Sequence, residues 1–236
     1  MVGAPRARSS RHMPSSRTVL LAGATGLIGG QILEALLVDP GVAKVHVLGR
    51  RALGTSHPKL RAEVVDFSRL PALGQFDEAC LALGTTIRVA GSKEAFRAVD
   101  LDANLAVAKA AVTGGARRVA LVSAVGASAH SPVFYNRVKG ELEDALKTMS
   151  LSALVIARPA LLLGDRKALN QPSRLGEEFA TPILKLISPI LPRHFRPVHA
   201  RAVAQALVKT LPTAMGLVVL SSDELSRIGA AGISEK

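Results

Sequence analysis

The stretch Thr18-Val-Leu-Leu-Ala-Gly-Ala-Thr-Gly-Leu-Ile-Gly-Gly-Gln-Ile-Leu-Glu-Ala-Leu-Leu37 decides the fold. Residues 19–22 form a short apolar run of the kind that is buried on both faces of a parallel sheet. Gly23, Gly26 and Gly29 follow at once, and residues 31–37 read as a helix with Ile32, Leu33, Leu36 and Leu37 on its apolar side. A strand, a glycine turn and a helix in that order suit a pyrophosphate. Gly23 allows a sharp turn, Gly26 lets backbone N–H groups approach the phosphates, and Gly29 lets the helix pack closely on its strand. The helix N-terminus then offers unpaired N–H groups and the positive end of its dipole. The spacing is G-x-x-G-x-x-G.

Outward from this stretch, strand and helix alternate. Strands are expected at residues 44–48, 62–66, 78–83, 118–123, 152–157 and 216–220. Helices are expected at 92–114, 135–149, 198–211 and 223–228. This alternation predicts an α/β protein with a doubly wound parallel sheet, a Rossmann fold, in a single domain over 18–236. Between 161 and 196 the pattern loosens into Pro- and Gly-punctuated pieces, expected to be a small C-terminal substrate lobe. Residues 1–17 hold Arg6, Arg8, Arg11 and Arg17 with no acid. They read as a disordered tail, or as sequence before a true start at Met13, with a mitochondrial transit segment as the alternative.

Composition narrows the function. The chain of 236 residues has a formal charge of +12, yet its basic residues are scattered and it has no Trp and one Tyr, so no nucleic-acid partner is expected. No apolar run approaches the ~20 residues that span a bilayer. Cys80 is the only cysteine, which permits no internal disulfide and suggests a reducing compartment. A cytoplasmic protein, homodimer or monomer, is expected. His194 and His199 lack companion ligands at a metal-binding spacing, so no metal is expected.

Two sets of residues carry chemistry. After the second strand, where an acid would bind the adenosine ribose of NAD, the chain has Gly49-Arg-Arg51. A guanidinium forks onto a 2′-phosphate, so Arg50 and Arg51 favour NADP(H) over NAD(H). The second set is Tyr135-Asn-Arg-Val-Lys139, whose ends lie four apart on one helix face. An ammonium beside a phenol favours phenolate and tunes it for proton transfer. Ser123 closes the fifth strand, where a parallel sheet presents ligands, and its hydroxyl is placed to bond a substrate carbonyl.

The glycine spacing, Ser123 and Tyr135/Lys139 resemble the short-chain dehydrogenase/reductase superfamily. The run Ala157-Arg-Pro-Ala-Leu-Leu-Leu-Gly164 is similar to its extended and atypical branches. The wording of Leu83-Gly-Thr-Thr86, Ser123-Ala-Val-Gly-Ala127 and Tyr135-Asn-Arg-Val-Lys-Gly-Glu141 most resembles the Tat-interacting-protein-like oxidoreductases. The resemblance implies that Tyr135 is the acid/base, that Lys139 tunes it and holds the nicotinamide ribose, and that Ser123 orients substrate. It implies that Thr25, Leu27 and Ile28 join the glycines at the phosphates, and that Asp66 and Phe67 flank the adenine. Leu83, Gly84 and Thr85 would line the cofactor, and Pro159, Ala160, Leu161 and Leu162 would meet the nicotinamide amide. In many relatives an Asn early in the fourth helix supports a proton relay. That position falls at Asp100 here, with Asn104 one turn on, which puts the relay in question. The expected function is NADPH-dependent reduction of a small carbonyl substrate. The alternatives are a non-catalytic NADP(H)-binding regulatory module and, ranked lower, a sugar-nucleotide epimerase.

Overall fold

A computed structural model describes residues 16–163 and 196–230. Its centre is a seven-stranded, all-parallel sheet. In chain order the strands and helices are β1 (Arg17–Ala22), α1 (Leu27–Val38), β2 (Val42–Gly49), β3 (Leu60–Val64), β4 (Glu78–Leu81), α2 (Ile87–Ala90) and α3 (Lys93–Arg97). A π-helical stretch, Ala98–Ala103, leads into α4 (Asn104–Thr113), followed by β5 (Arg118–Val122), α5 (Phe134–Lys147), β6 (Ala153–Arg158) and β7 (Leu162–Leu163). The chain then forms β8 (Val198–His199), α6 (Ala200–Thr210), β9 (Gly216–Ser221) and α7 (Ser222–Ala230). The sheet order is β3-β2-β1-β4-β5-β6-β9, with β7 and β8 pairing separately.

The predicted doubly wound sheet is therefore present. Two apolar layers cover it. Ile32, Leu36, Val203 and Leu207 from α1 and α6 pack with Val19, Leu21, Val45 and Val155 on one face. On the other, Phe96, Val107, Val138 and Leu142 pack with Leu20, Leu81, Leu121 and Ile156. Successive residues of β1 thus serve opposite layers, as the period of a strand requires. Full burial of each such aliphatic side chain is worth about 1.5–3 kcal/mol. The order reverses between β1 and β4, and a doubly wound sheet opens a crevice at such a point beyond its strand ends.

Several sequence boundaries shift, three of them for a visible reason. Arg17 is not tail but the first residue of β1, where it pairs with Asp39 and with the nearly buried Glu78. Asp66 lies beyond β3 rather than inside it, because Ser68 N–H and Oγ–H both donate to its carboxylate and turn the chain. The helical segment after residue 92 is broken by the π stretch. There the buried polar side chains of Asp100 and Asn104 bond the loop after β4 instead of following a regular apolar stripe. Most of the lobe expected at 161–196, including His194, lies outside the described residues. None of the helices among the described residues is long and apolar enough to cross a membrane.

Candidate active site

Gly23 sits at the end of β1 with φ +95°, a left-handed conformation that a side chain strains. A Cβ there would lie 2.3 Å from the Ala82 carbonyl oxygen of the neighbouring strand. A Cβ on Gly29 would lie 2.0 Å from the Gly23 carbonyl oxygen, so α1 crosses its own turn at backbone contact. Gly26 caps α1, no side chain caps that helix, and its first turn holds no acid. The first-turn N–H groups are thus available to an anion.

The turn forms one end of a cavity of about 810 Å³ beyond the strand ends, within the range of cofactor sites. Gly23, Thr25, Gly26, Leu27 and Ile28 line it, with Arg50 and Arg51 after β2 and Asp66 and Phe67 after β3. Both arginines are exposed, and neither makes an ion pair among the described residues. Hydrogen bonds from Ser68 hold the Asp66 carboxyl below the usual aspartate range. Leu83, Gly84 and Thr85 form another wall, and Ser123, Tyr135, Lys139 and Leu162 complete it. Gly29 lies beneath the turn rather than on the wall. Pro159, Ala160 and Leu161 also lie off it: Pro159 accepts from Val125 N–H at 3.0 Å, and Ala160 N–H donates to Ser222 Oγ at 2.8 Å.

Ser123 directly follows β5, Tyr135 opens α5, and Lys139 lies one helical turn further on. The Tyr135 ring rests on the fully buried Phe96, with centroids 5.6 Å apart. The Ser123 hydroxyl donates to Glu143 Oε1 at 2.5 Å. Glu143 is itself buried, and Arg158 at the end of β6 grips it through Nε at 3.0 Å and through a short Nη2 contact. That hydrogen bond and charge raise the Arg158 guanidinium above its ordinary range against partial burial.

Lys139 Nζ pairs with Asp100 Oδ1 at 2.8 Å, and both side chains are almost wholly buried. Asp100 Oδ2 accepts the Thr85 N–H at 2.8 Å, while Asn104 Nδ2 donates to the Leu83 and Asp100 carbonyls at 3.1 Å. The π stretch thereby clamps the loop after β4 against the cavity. Asp100 is thus a buried, charged partner of Lys139. Glu143 and Arg158 escaped the sequence reading entirely. The signal available was that Tyr135, Lys139 and Glu143 recur every four residues, which places them on one helix face.

No family model matches the chain. It is 35% identical over 184 residues to the protein named FMP52, mitochondrial, of Lodderomyces elongisporus, covering 72% of this chain and 76% of that one. It is 37% identical over 158 residues to the Candida albicans protein of the same name, covering 64% and 69%. These names overturn the expectation of a cytoplasmic protein, since both relatives are named as mitochondrial. Composition misled there: a single buried cysteine speaks of a reducing environment, not of one compartment. Among solved structures, a short-chain dehydrogenase family protein from Francisella tularensis superposes with a TM-score of 0.66 at 15% identity, covering 89% of this chain and 98% of that one. MoeE5 in complex with UDP-glucose and NAD superposes with a TM-score of 0.64 at 18% identity, covering 91% and 81%. With its parallel sheet, glycine turn and these relatives, the chain has the short-chain dehydrogenase/reductase fold and belongs to the family of the FMP52 proteins.

Proposed function

We propose that this protein is an NADPH-dependent reductase of small carbonyl compounds. The observation that carries the reading is that Ser123, Tyr135 and Lys139, distant in sequence, line the same cavity as the glycine turn and Arg50/Arg51. The residues fit a dinucleotide: a turn with no room for a Cβ, an uncapped helix start and a cavity of matching size. The α1 N-terminus would hold the pyrophosphate, Asp66 and Phe67 would flank the adenine, and Arg50 would fork onto a 2′-phosphate. Solved neighbours of this fold carry NAD, and the two arginines are the reason to prefer NADPH here.

Nicotinamide supplies the hydride when bound. Tyr135 gives a proton to the carbonyl oxygen, from a position fixed by its α5 backbone and by Phe96. Because the Ser123 proton is directed at Glu143, Ser123 turns lone pairs toward the cavity and accepts the hydrogen bond of a substrate or product hydroxyl. The position of Ser123 at a strand end had suggested instead a hydrogen bond from its hydroxyl to a substrate carbonyl. Turnover with Tyr135→Phe tests the reading: loss of about a hundredfold or more in kcat supports it. Undiminished turnover removes the mechanism. NADPH binding without turnover on any carbonyl favours the regulatory alternative.

The mitochondrial names of the relatives lead us to place the protein in the mitochondrion. Imaging a C-terminally tagged full chain tests this, and a diffuse cytosolic signal would contradict it.

A further inference from the structure

We propose that Asp100 is a positioning residue that offsets the Lys139 ammonium, so that Tyr135 meets its substrate as a phenol and works as a proton donor. This rests on the reading of Tyr135 as the acid and adds the direction in which the site is set to run.

A lone ammonium one turn from a phenol favours phenolate. Lys139 is not alone: Asp100 Oδ1 lies 2.8 Å from its Nζ, and both side chains are at most 5% exposed. Water therefore screens neither charge, and what Tyr135 faces is a closed pair rather than a free cation. Asp100 is held in place by the Thr85 N–H on its other oxygen, so the carboxylate has little freedom to swing away.

The other charged groups around Tyr135 are closed in the same way. Two turns along α5, Glu143 is balanced by Arg158 from β6 and takes the Ser123 proton from the end of β5. From the α3 side, Phe96 offers only a ring, and Arg97 pairs outward with Glu141 of α5. Lys93 and Arg137 sit over the Phe134 ring at 5.5 and 5.6 Å. No unbalanced cation is in contact with the Tyr135 side of the cavity among these groups. Lys139 keeps its charge throughout. Burial pulls the ammonium down, but the Asp100 carboxylate, by its charge and its hydrogen bond, outweighs it and holds it above the ordinary lysine range.

Carbonyl reduction needs the phenol, whereas alcohol oxidation needs the phenolate as base. A charge-balanced Lys139 thus sets the site for reduction.

Tyr135 is the only tyrosine and the chain has no tryptophan, so the near-ultraviolet absorbance of tyrosinate reports its ionisation directly. The experiment is a pH titration of the full chain, with Tyr135→Phe as the blank. Asp100→Asn is expected to move the midpoint down by about one pH unit or more. Lys139→Met is expected to move it up, and the double variant to return it close to the wild type. A midpoint unmoved or raised in Asp100→Asn overturns the proposal. If that variant does not fold, the double variant is compared with Lys139→Met. A downward shift then supports the proposal and no shift overturns it. The titration needs no substrate, so a failure of turnover with the expected shift counts against the reductase reading and leaves this one standing.

Discussion

Ser123 has one proton to give, and Glu143 receives it. This pairing, with Arg158 behind it, explains why a buried glutamate is tolerated next to the cavity wall. Removing the carboxylate charge leaves Arg158 without its partner, although solvent reaches about a third of that side chain and lowers the penalty. Glu143→Gln is expected to cost about 2 kcal/mol, seen as a drop of about 4–8 °C in Tm. It should also lower kcat more than it raises KM for NADPH. If Ser123→Ala and Glu143→Gln are additive in kcat, Glu143 does not act through Ser123. At the other end of the cavity, Arg50→Ala is expected to weaken NADPH about tenfold or more and to spare NADH. Equal weakening of both would remove the 2′-phosphate assignment. That Ser123, Tyr135 and Lys139 line one cavity was legible because a helix repeat and a strand end are local features. Glu143, Arg158 and the Asp100–Lys139 contact were not, because each partner comes from a different element and only the folded sheet brings them together.

At the scale of elements, the glycine turn and the π stretch do the shaping. Gly29 and Gly30 are neighbours in α1 with opposite surroundings. A Cβ on Gly29 would meet the Gly23 carbonyl oxygen at 2.0 Å, and one on Gly30 would meet nothing closer than Ala24 O at 3.4 Å. Gly29→Ala is therefore expected to lose about 3 kcal/mol or more, with cofactor binding. Gly30→Ala is expected to be neutral or to gain up to about 1 kcal/mol from helix propensity. Chemical denaturation of both variants checks the contrast, and equal losses would mean that the turn is not in backbone contact with α1. The turn was readable from spacing alone. The π stretch was not, since residues 92–114 fit a regular helix by apolar pattern, and the loop partners of Asp100 and Asn104 are remote in sequence.

Across the whole molecule, the seven-stranded sheet was legible because its strands are short, mostly apolar runs separated by turns or by helix-length segments. Arg17 was misassigned to the tail because a basic residue at a strand start looks like the basic stretch before it, and its partners Asp39 and Glu78 are remote in sequence. A pH response also belongs to this scale. His46 on β2 is almost fully buried, and burial lowers it below its usual 6.5 despite the hydrogen bond with Glu63. The folded state thus holds fewer protons than the unfolded state just below that value. The stability this group contributes is complete above pH 6.5 and is lost as pH falls toward the depressed folded value. His46→Phe should flatten the decline of Tm between neutral and mildly acidic pH, and an unchanged decline would assign the pH response elsewhere.

A built site for NADPH is open to a titration with NADPH and then NADH, followed by nicotinamide fluorescence. The absence of tryptophan leaves the signal free of indole emission. Saturable NADPH binding, at least about tenfold tighter than NADH and reduced to the NADH level in Arg50→Ala, is the predicted result. Failure of both nucleotides to bind would contradict it, and with it the reading of the cavity as a reductase site.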